Sequence, residues 1–357
     1  YDGENVCIEA WGKDALRVRA TKNRSFTGRD WALEAKDAHA GEVEIFEDPS
    51  AKGGAFANMY EGTDTSYGKI TNGKLHAVID SGSVITFYHE DGRVLLKEHF
   101  RRLRDEESMP LNIMGREYSN GVGDNFRIVT WFVARKGEKI FGMGQYQQHE
   151  LDLKGCMLEL AQRNSQVSVP FYLSSIGYGF LWNNPGVGQV MFANNGTEWV
   201  TESGKEIDYL VIAGDTPAEI EENYMTLTGK PPMMPEYGMG FWQCKLRYWN
   251  QEQLLSVARK YKELGVPLDV IVVDFFHWTK QGEFKFDPKY WPDVPGMCRE
   301  LKEMGIQVVV SVWPTVDIYS ENFEEMKEKG YLVRTEHGVP LTMLCGGNEV
   351  FFDATNP

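Results

Sequence analysis

A chain of 357 residues is too long for one small domain and implies two or three. Its formal net charge of -15 argues against nucleic acid and anionic membrane as partners, because both repel an acidic surface. No apolar run approaches the roughly 18 residues of a membrane-spanning helix.

Up to about residue 214 the pattern is one of strands and turns. Leu16, Val18 and Ala20 alternate with Arg17 and Arg19, which predicts a half-buried strand. Residues 75–79 and 84–88 repeat the alternation, and Asn72-Gly73 and Asp91-Gly92 supply turn signals. Further strands are predicted over 126–134, 177–182, 187–192 and 207–213. Many short strands with Gly-rich turns predict a β-sandwich. Within it, FGMGQYQQHELDLKG at 141–155 and ELAQRNSQVSVPFYLSS at 159–175 read as polar loops. Such loops serve as surface or lend hydrogen bonds to a neighbouring pocket.

At Thr216 the period changes. Thr216-Pro217-Ala218-Glu219 is a capping box with Pro at the first helical position. After the short helix, Gly229-Lys230-Pro231-Pro232 breaks the chain, giving domains 1–229 and 230–357. A repeating unit follows. A strand is predicted over 237–243, then a helix capped by Asn250 and closed by Gly265. The run LDVIVVD at 268–274 predicts a strand buried on both faces, and an aromatic-rich loop extends to Trp291. A helix through Met297 and Leu301, a third buried strand over 307–313 and a helix ending at Gly330 complete the pattern. Strand and helix alternate as in an α/β domain with right-handed crossovers. Three such units cannot close an eight-fold barrel, so they are an open sheet or the first part of a barrel.

Asp274 stands where the buried run ends, and an unpaired carboxylate there is costly to bury. A pair of sugar hydroxyls would satisfy it, as would a capping role in the following loop. Phe275, Phe276, His277 and Trp278 come next, some facing a site and others turned away, with His277 a possible hydrogen-bond donor. Trp313 ends the third strand as an apolar wall or a packing residue. Lys245 and Arg247 follow the first strand, orienting carboxylates or simply meeting solvent. Asp353 reads as structural, bonded to Thr355 or the next helix start. The 13% aromatic share and ten Trp fit sugar stacking as well as packing.

Other chemistries lack support. There is no GxSxG elbow, HExxH motif or phosphate loop, and the glycines of 141–144 lack the strand-to-helix context of a dinucleotide site. Five widely spaced Cys with no CxxC pair argue against a disulfide framework or a thiolate zinc site. Reduced thiols and no visible signal peptide point to the cytoplasm. The chain starts at Tyr1 rather than Met, so a removed leader and a secreted form stay open.

In this order and spacing, YGMGFWQCKLRYWN, VIVVDFFHW, FDPKYWPD, GIQVVVSVWPTVD and FFDATNP resemble glycoside hydrolase family 31. PFYLSSIGYGFLWNN and FGMGQYQQ resemble its N-terminal domain, so the resemblance covers nearly the whole chain. It implies a β-sandwich, galactose-mutarotase-like N-terminal domain followed by the first part of an α/β (β/α)8 TIM barrel. It implies a retaining α-glycosidase with two catalytic Asp about 5–5.5 Å apart, both beyond Pro357. Residues 1–357 alone would then be inactive, and a continuation is expected. The family's sugar-binding Asp and wall Trp match Asp274 and Trp313, and Asn164 fits a sandwich loop that reaches the pocket. Phe275 or Phe276 could fill the space that a hexose CH2OH needs, so VDFFHW resembles the α-xylosidase branch. Alternatives are an α-glucosidase or α-galactosidase, or a non-catalytic carbohydrate-binding fragment. The partner implied is an oligosaccharide or α-glycoside substrate, with no cofactor and no metal. A homo-oligomer is compatible with the family.

Overall fold

The computed structural model describes residues 3–34, 38–39, 41–47, 66–80, 83–99, 101–102, 112–335, 337–342, 348–354 and 356. The chain divides into two compact units, Tyr1–Pro231 and Pro232–Pro357.

In the first unit two antiparallel sheets enclose an aromatic core. One runs in the order Ile140–Gln145, Val167–Ser174, Tyr178–Trp182, Ile207–Ala213, Ala15–Thr21, Asn5–Trp11, Ala38–His39. The other runs Arg116–Asn120, Phe126–Phe132, Thr197–Gly204, Gly188–Phe192, Met157–Leu160. Across them Phe180 stacks 5.1 Å from Trp199, and Phe132 meets Phe180 edge-on at 5.3 Å. This is the packing of a sandwich, in which inward side chains of both sheets interdigitate. A five-stranded meander from Glu42–Glu47 to Val94–Lys97 adds Leu75, Ile85 and Phe87 to the same core. Its turns lie where Asn72-Gly73 and Asp91-Gly92 predict them, with Gly73 at φ 57° and Gly92 at φ 86°.

Two expectations about this unit are overturned. Ala15–Thr21 is not half-buried: Arg17 is fully buried, held by both carboxylate oxygens of Asp208 at 3.0 and 2.7 Å and by Asp30 at 2.8 Å. The strand lies inside its sheet. The sheet's other face is covered by a second cluster that includes Ala15, Leu210, Ile212, Ile220 and Leu227, the last two from the helix Pro217–Thr228. Residues 141–155 and 159–175 are not plain loops either. They contain most of the strand Ile140–Gln145, the second half of Met157–Leu160 and all of Val167–Ser174. Gly142 at φ 111° and Gly144 at φ 92° flank an irregularity in the pairing with Val167–Ser174. A side chain on Gly144 would start 2.2 Å from the Val167 carbonyl oxygen, so glycine there permits the close backbone approach.

The helix Pro217–Thr228 starts as its sequence predicts. Thr216 accepts from the Glu219 amide, and Glu219 reaches back to the Asp215 amide, one residue before the cap.

The second unit is built on a parallel sheet in the order Trp242–Gln243, Val270–Val273, Gln307–Val310. The helices Gln251–Glu263 and Val294–Glu303 pack Leu254, Leu255, Ala258, Met297 and Leu301 against Ile271 and Val273. Asn250 and Asp293 cap these helices, while Gly265 at φ 65° and Gly305 at φ 73° close them. The first strand is shorter than predicted, because Glu236–Met239 is a turn of 3-10 helix. The second begins at Val270, since Asp269 turns its carboxylate to the Phe241 amide at 2.9 Å. The third ends at Val310 and is only partly buried, for it lies at the edge of the described sheet. Thr315–Asp317 pairs with Glu349–Phe351 over a small cluster of Val316, Phe323, Leu332 and Val350.

Candidate functional site

Parallel pairing brings the C-terminal ends of the three strands to one edge, the position at which α/β folds build their sites. Cys244 follows the first strand directly and Asp274 the second, while Trp313 lies three residues beyond the third. The partly buried Asp274 carboxylate has a donor near each oxygen. The Phe275 amide gives Oδ1 a bond at 2.8 Å, and the Cys244 thiol lies 3.8 Å from Oδ2 and 3.6 Å from the Lys245 carbonyl oxygen, two acceptors for one proton. Partial burial and then the Asp274 charge push the thiol above its ordinary range, which keeps it protonated and a donor at neutral pH.

The aromatic loop forms walls. Phe275 stacks on Trp313 at 5.6 Å and lies 4.3 Å from Phe276, while Trp278 meets Trp313 edge-on at 6.4 Å. Phe276 is 52% exposed, with its backbone in the left-handed region at φ 62°. Bulky side chains rarely adopt that conformation, so surrounding contacts must hold it.

His277 is buried and braces this loop. Its Nδ1 lies 3.2 Å from the Asp274 carbonyl, which can only accept, so Nδ1 carries the proton. The proton expected to serve a substrate is therefore used within the loop, and Nε2 is left as an acceptor. Burial pushes the imidazole below its ordinary range, outweighing the opposite pull of Asp274. The His277 carbonyl accepts from the Asp287 amide at 2.7 Å.

Two hollows flank the walls. One of about 230 Å3 is lined by His277, Trp278, Gln281, Phe286, Val310 and Trp313, among others. The other, about 390 Å3, is lined by Lys245, Leu246, Arg247, Trp249, Phe275 and Phe276. Of the two readings for Arg247, orienting carboxylates or meeting solvent, the first finds no described carboxylate partner: its described partners are the Trp249 ring at 3.6 Å, the Phe276 ring at 5.2 Å and the Phe276 carbonyl oxygen at 3.5 Å.

Asp274, Phe275, Phe276, His277, Trp278 and Trp313 are thus gathered in one unit. Asn164 belongs to the other, exposed in the turn between Met157–Leu160 and Val167–Ser174. Asp353 pairs its amide with the Tyr331 carbonyl at 2.7 Å, and Thr355 lies outside the described residues. Cys244 was missed by the sequence reading, although its place after a strand, like that of Asp274, is a usable signal. Among the described residues no group of three or more His, Cys, Asp or Glu could hold a metal ion, and no helix is long and apolar enough to cross a membrane.

Comparison with known proteins gives this edge a context. Residues 231–357 match the glycosyl hydrolases family 31 TIM-barrel domain, and residues 5–190 match the glycosyl hydrolase 31 N-terminal galactose mutarotase-like domain. A protein of Pseudescherichia vulneris named "uncharacterized family 31 glucosidase ORF2" is 44% identical over 100% of this chain and 66% of its own length. An α-xylosidase of Saccharolobus solfataricus is 36% identical over 58% of this chain and 30% of its own. The crystal structure of a family 31 α-xylosidase from a soil metagenome, complexed with xylose, superposes with a TM-score of 0.88 at 47% identity. It is matched over 100% of this chain and 52% of its own. The chain therefore spans between about a third and two thirds of the length of these relatives. Each unit holds a match to a domain of one enzyme family, and on that ground the chain belongs to glycoside hydrolase family 31.

Proposed function

We propose that the protein carrying this chain is a retaining α-glycosidase, an α-xylosidase by preference, which releases terminal α-xylose from oligosaccharides. The observation that carries the reading is Asp274 at the sheet's C-terminal edge, its carboxylate flanked by two donors beside the Phe275, Phe276 and Trp313 walls. A carboxylate fixed in this way retains free lone pairs for two sugar hydroxyls, and the walls suit the apolar faces of a sugar ring. The reacting groups are two Asp outside residues 1–357, one attacking the anomeric carbon and the other protonating the leaving oxygen. Asp274 binds and does not react. In this scheme 1–229 is the N-terminal domain and 230–357 carries the first βα units of the barrel.

The preference for xylose rests on Phe275 and Phe276, which follow Asp274 directly and in this reading fill the space that a hexose CH2OH would enter. Relatives named α-xylosidase support it. α-Glucosidase is the second reading, because one relative bears the name glucosidase. Assay of the full-length protein against nitrophenyl α-xyloside, α-glucoside and α-galactoside separates them. The xyloside is expected to turn over fastest. A faster glucoside would sink the xylose preference, and no turnover of any would leave a sugar-binding role.

A further inference from the structure

We infer that Arg247 is a positioning residue for sugar specificity, acting through Phe276. The inference rests on the size-filter role given above to the two phenylalanines. Phe276 has a backbone that its own chemistry disfavours, at φ 62°, and a ring that is half exposed. Something outside the residue has to keep it there. On one side it touches Phe275, 4.3 Å away between ring centres, which in turn stacks on Trp313. On the other side stands Arg247.

The Arg247 guanidinium makes three contacts at once. Its plane lies 3.6 Å from the Trp249 ring centre, and 5.2 Å separates it from the Phe276 ring centre. Its Nη1 also donates to the Phe276 carbonyl oxygen at 3.5 Å. The first contact anchors the cation to an aromatic face, the second loads the Phe276 ring and the third holds the backbone of the same residue. Trp249 precedes the helix cap Asn250, and its amide donates to Gln253 at 2.7 Å. The clamp is therefore tied to the first turn of a well-packed helix. A row runs from Trp249 through Arg247, Phe276 and Phe275 to Trp313, and Asp274 immediately precedes Phe275 in the chain. Removing the guanidinium frees one end of the row and lets the Phe276 ring swing toward the open hollow of about 390 Å3 that both residues line. The room beside Asp274 then grows by the space that a CH2OH group needs.

An arginine suits this task and a lysine does not. The planar fork can stack on one ring while donating sideways, whereas an ammonium offers a point charge with no face.

The test uses the full-length enzyme and the ratio of kcat/KM for nitrophenyl α-xyloside to that for nitrophenyl α-glucoside. R247A is expected to lower this ratio by about 10-fold, the low end of what one small substituent is worth in a pocket, mainly by raising the glucoside value. R247K should lower it in the same direction and less far, and it carries the test if R247A does not fold. F276A should lower the ratio at least as much, and R247A/F276A should add little beyond F276A alone. An unchanged ratio in R247A and R247K, with a lowered one in F276A, overturns the role of Arg247 and leaves the size filter standing. Equal losses on both glycosides in the Arg247 variants would mean a merely structural residue. If F276A keeps the wild-type ratio, the size filter itself fails, and the role of Arg247 with it.

Discussion

At the scale of single residues, Asp274 is oriented before any ligand arrives, with a donor near each oxygen. Replacing it by Ala in the full-length enzyme should cut kcat/KM by about 100-fold or more, as expected for lost charged hydrogen bonds to a sugar. Near-normal kinetics would make it structural. His277 gives a pH prediction. Its folded-state pKa lies below the ordinary value because it is buried, so the unfolded chain takes up the proton first. The stability tied to a neutral His277 is present above about pH 6.5. It is lost as pH falls through the lowered value. Thermal unfolding followed from pH 8 to 5 should show that slope, and His277→Gln should flatten it. The place of Asp274 at a strand end was legible because a carboxylate ending an apolar run is a local pattern. The contacts of His277 and Arg247 were not, because one is made to a carbonyl three residues back and the other to Phe276, 29 residues along the chain. Arg17 was misplaced for a similar reason: its partner Asp208 is distant in sequence, and alternation alone turns an arginine outward.

Among the elements, the parallel strands were the easiest to foresee. The continuous branched apolar run 270–273 holds its own pattern, and a helix capped by Asp293 follows it. Strand ends were harder, since they depend on where a partner stops. The third strand was expected through Trp313, yet it stops at Val310 beside the end of Val270–Val273. Ile140–Gln145 was hidden by its glycines, which the sequence offers equally to a loop. The structure gives those glycines a purpose, and a test. Gly144→Ala would place a methyl against the Val167 carbonyl in a backbone conformation that L residues avoid. We expect a loss of about 2–3 kcal/mol, read as a lower Tm and urea midpoint. An unchanged Tm would mean that the irregularity relaxes at no cost.

On the scale of the whole molecule, the chain matches 52% of the length of the metagenomic α-xylosidase. The proposed catalytic pair lies in what it does not match, so residues 1–357 expressed alone should release no nitrophenol from any of the three glycosides. Measurable turnover would place a reacting carboxylate inside them. Recognition of family and architecture from sequence succeeded because several motifs occur in register, each weak by itself. The thiol beside Asp274 now opens a route that avoids turnover altogether. Cys244 is exposed, and its sulfur lies 3.8 Å from the carboxylate to which the sugar would bind. A ligand on Asp274 would shield that sulfur, so iodoacetamide labelling of Cys244, followed by peptide mass mapping, becomes an occupancy meter. Xylose should slow the labelling in a saturable way, and the half-effect concentration is then a Kd obtained without any chemistry on the sugar.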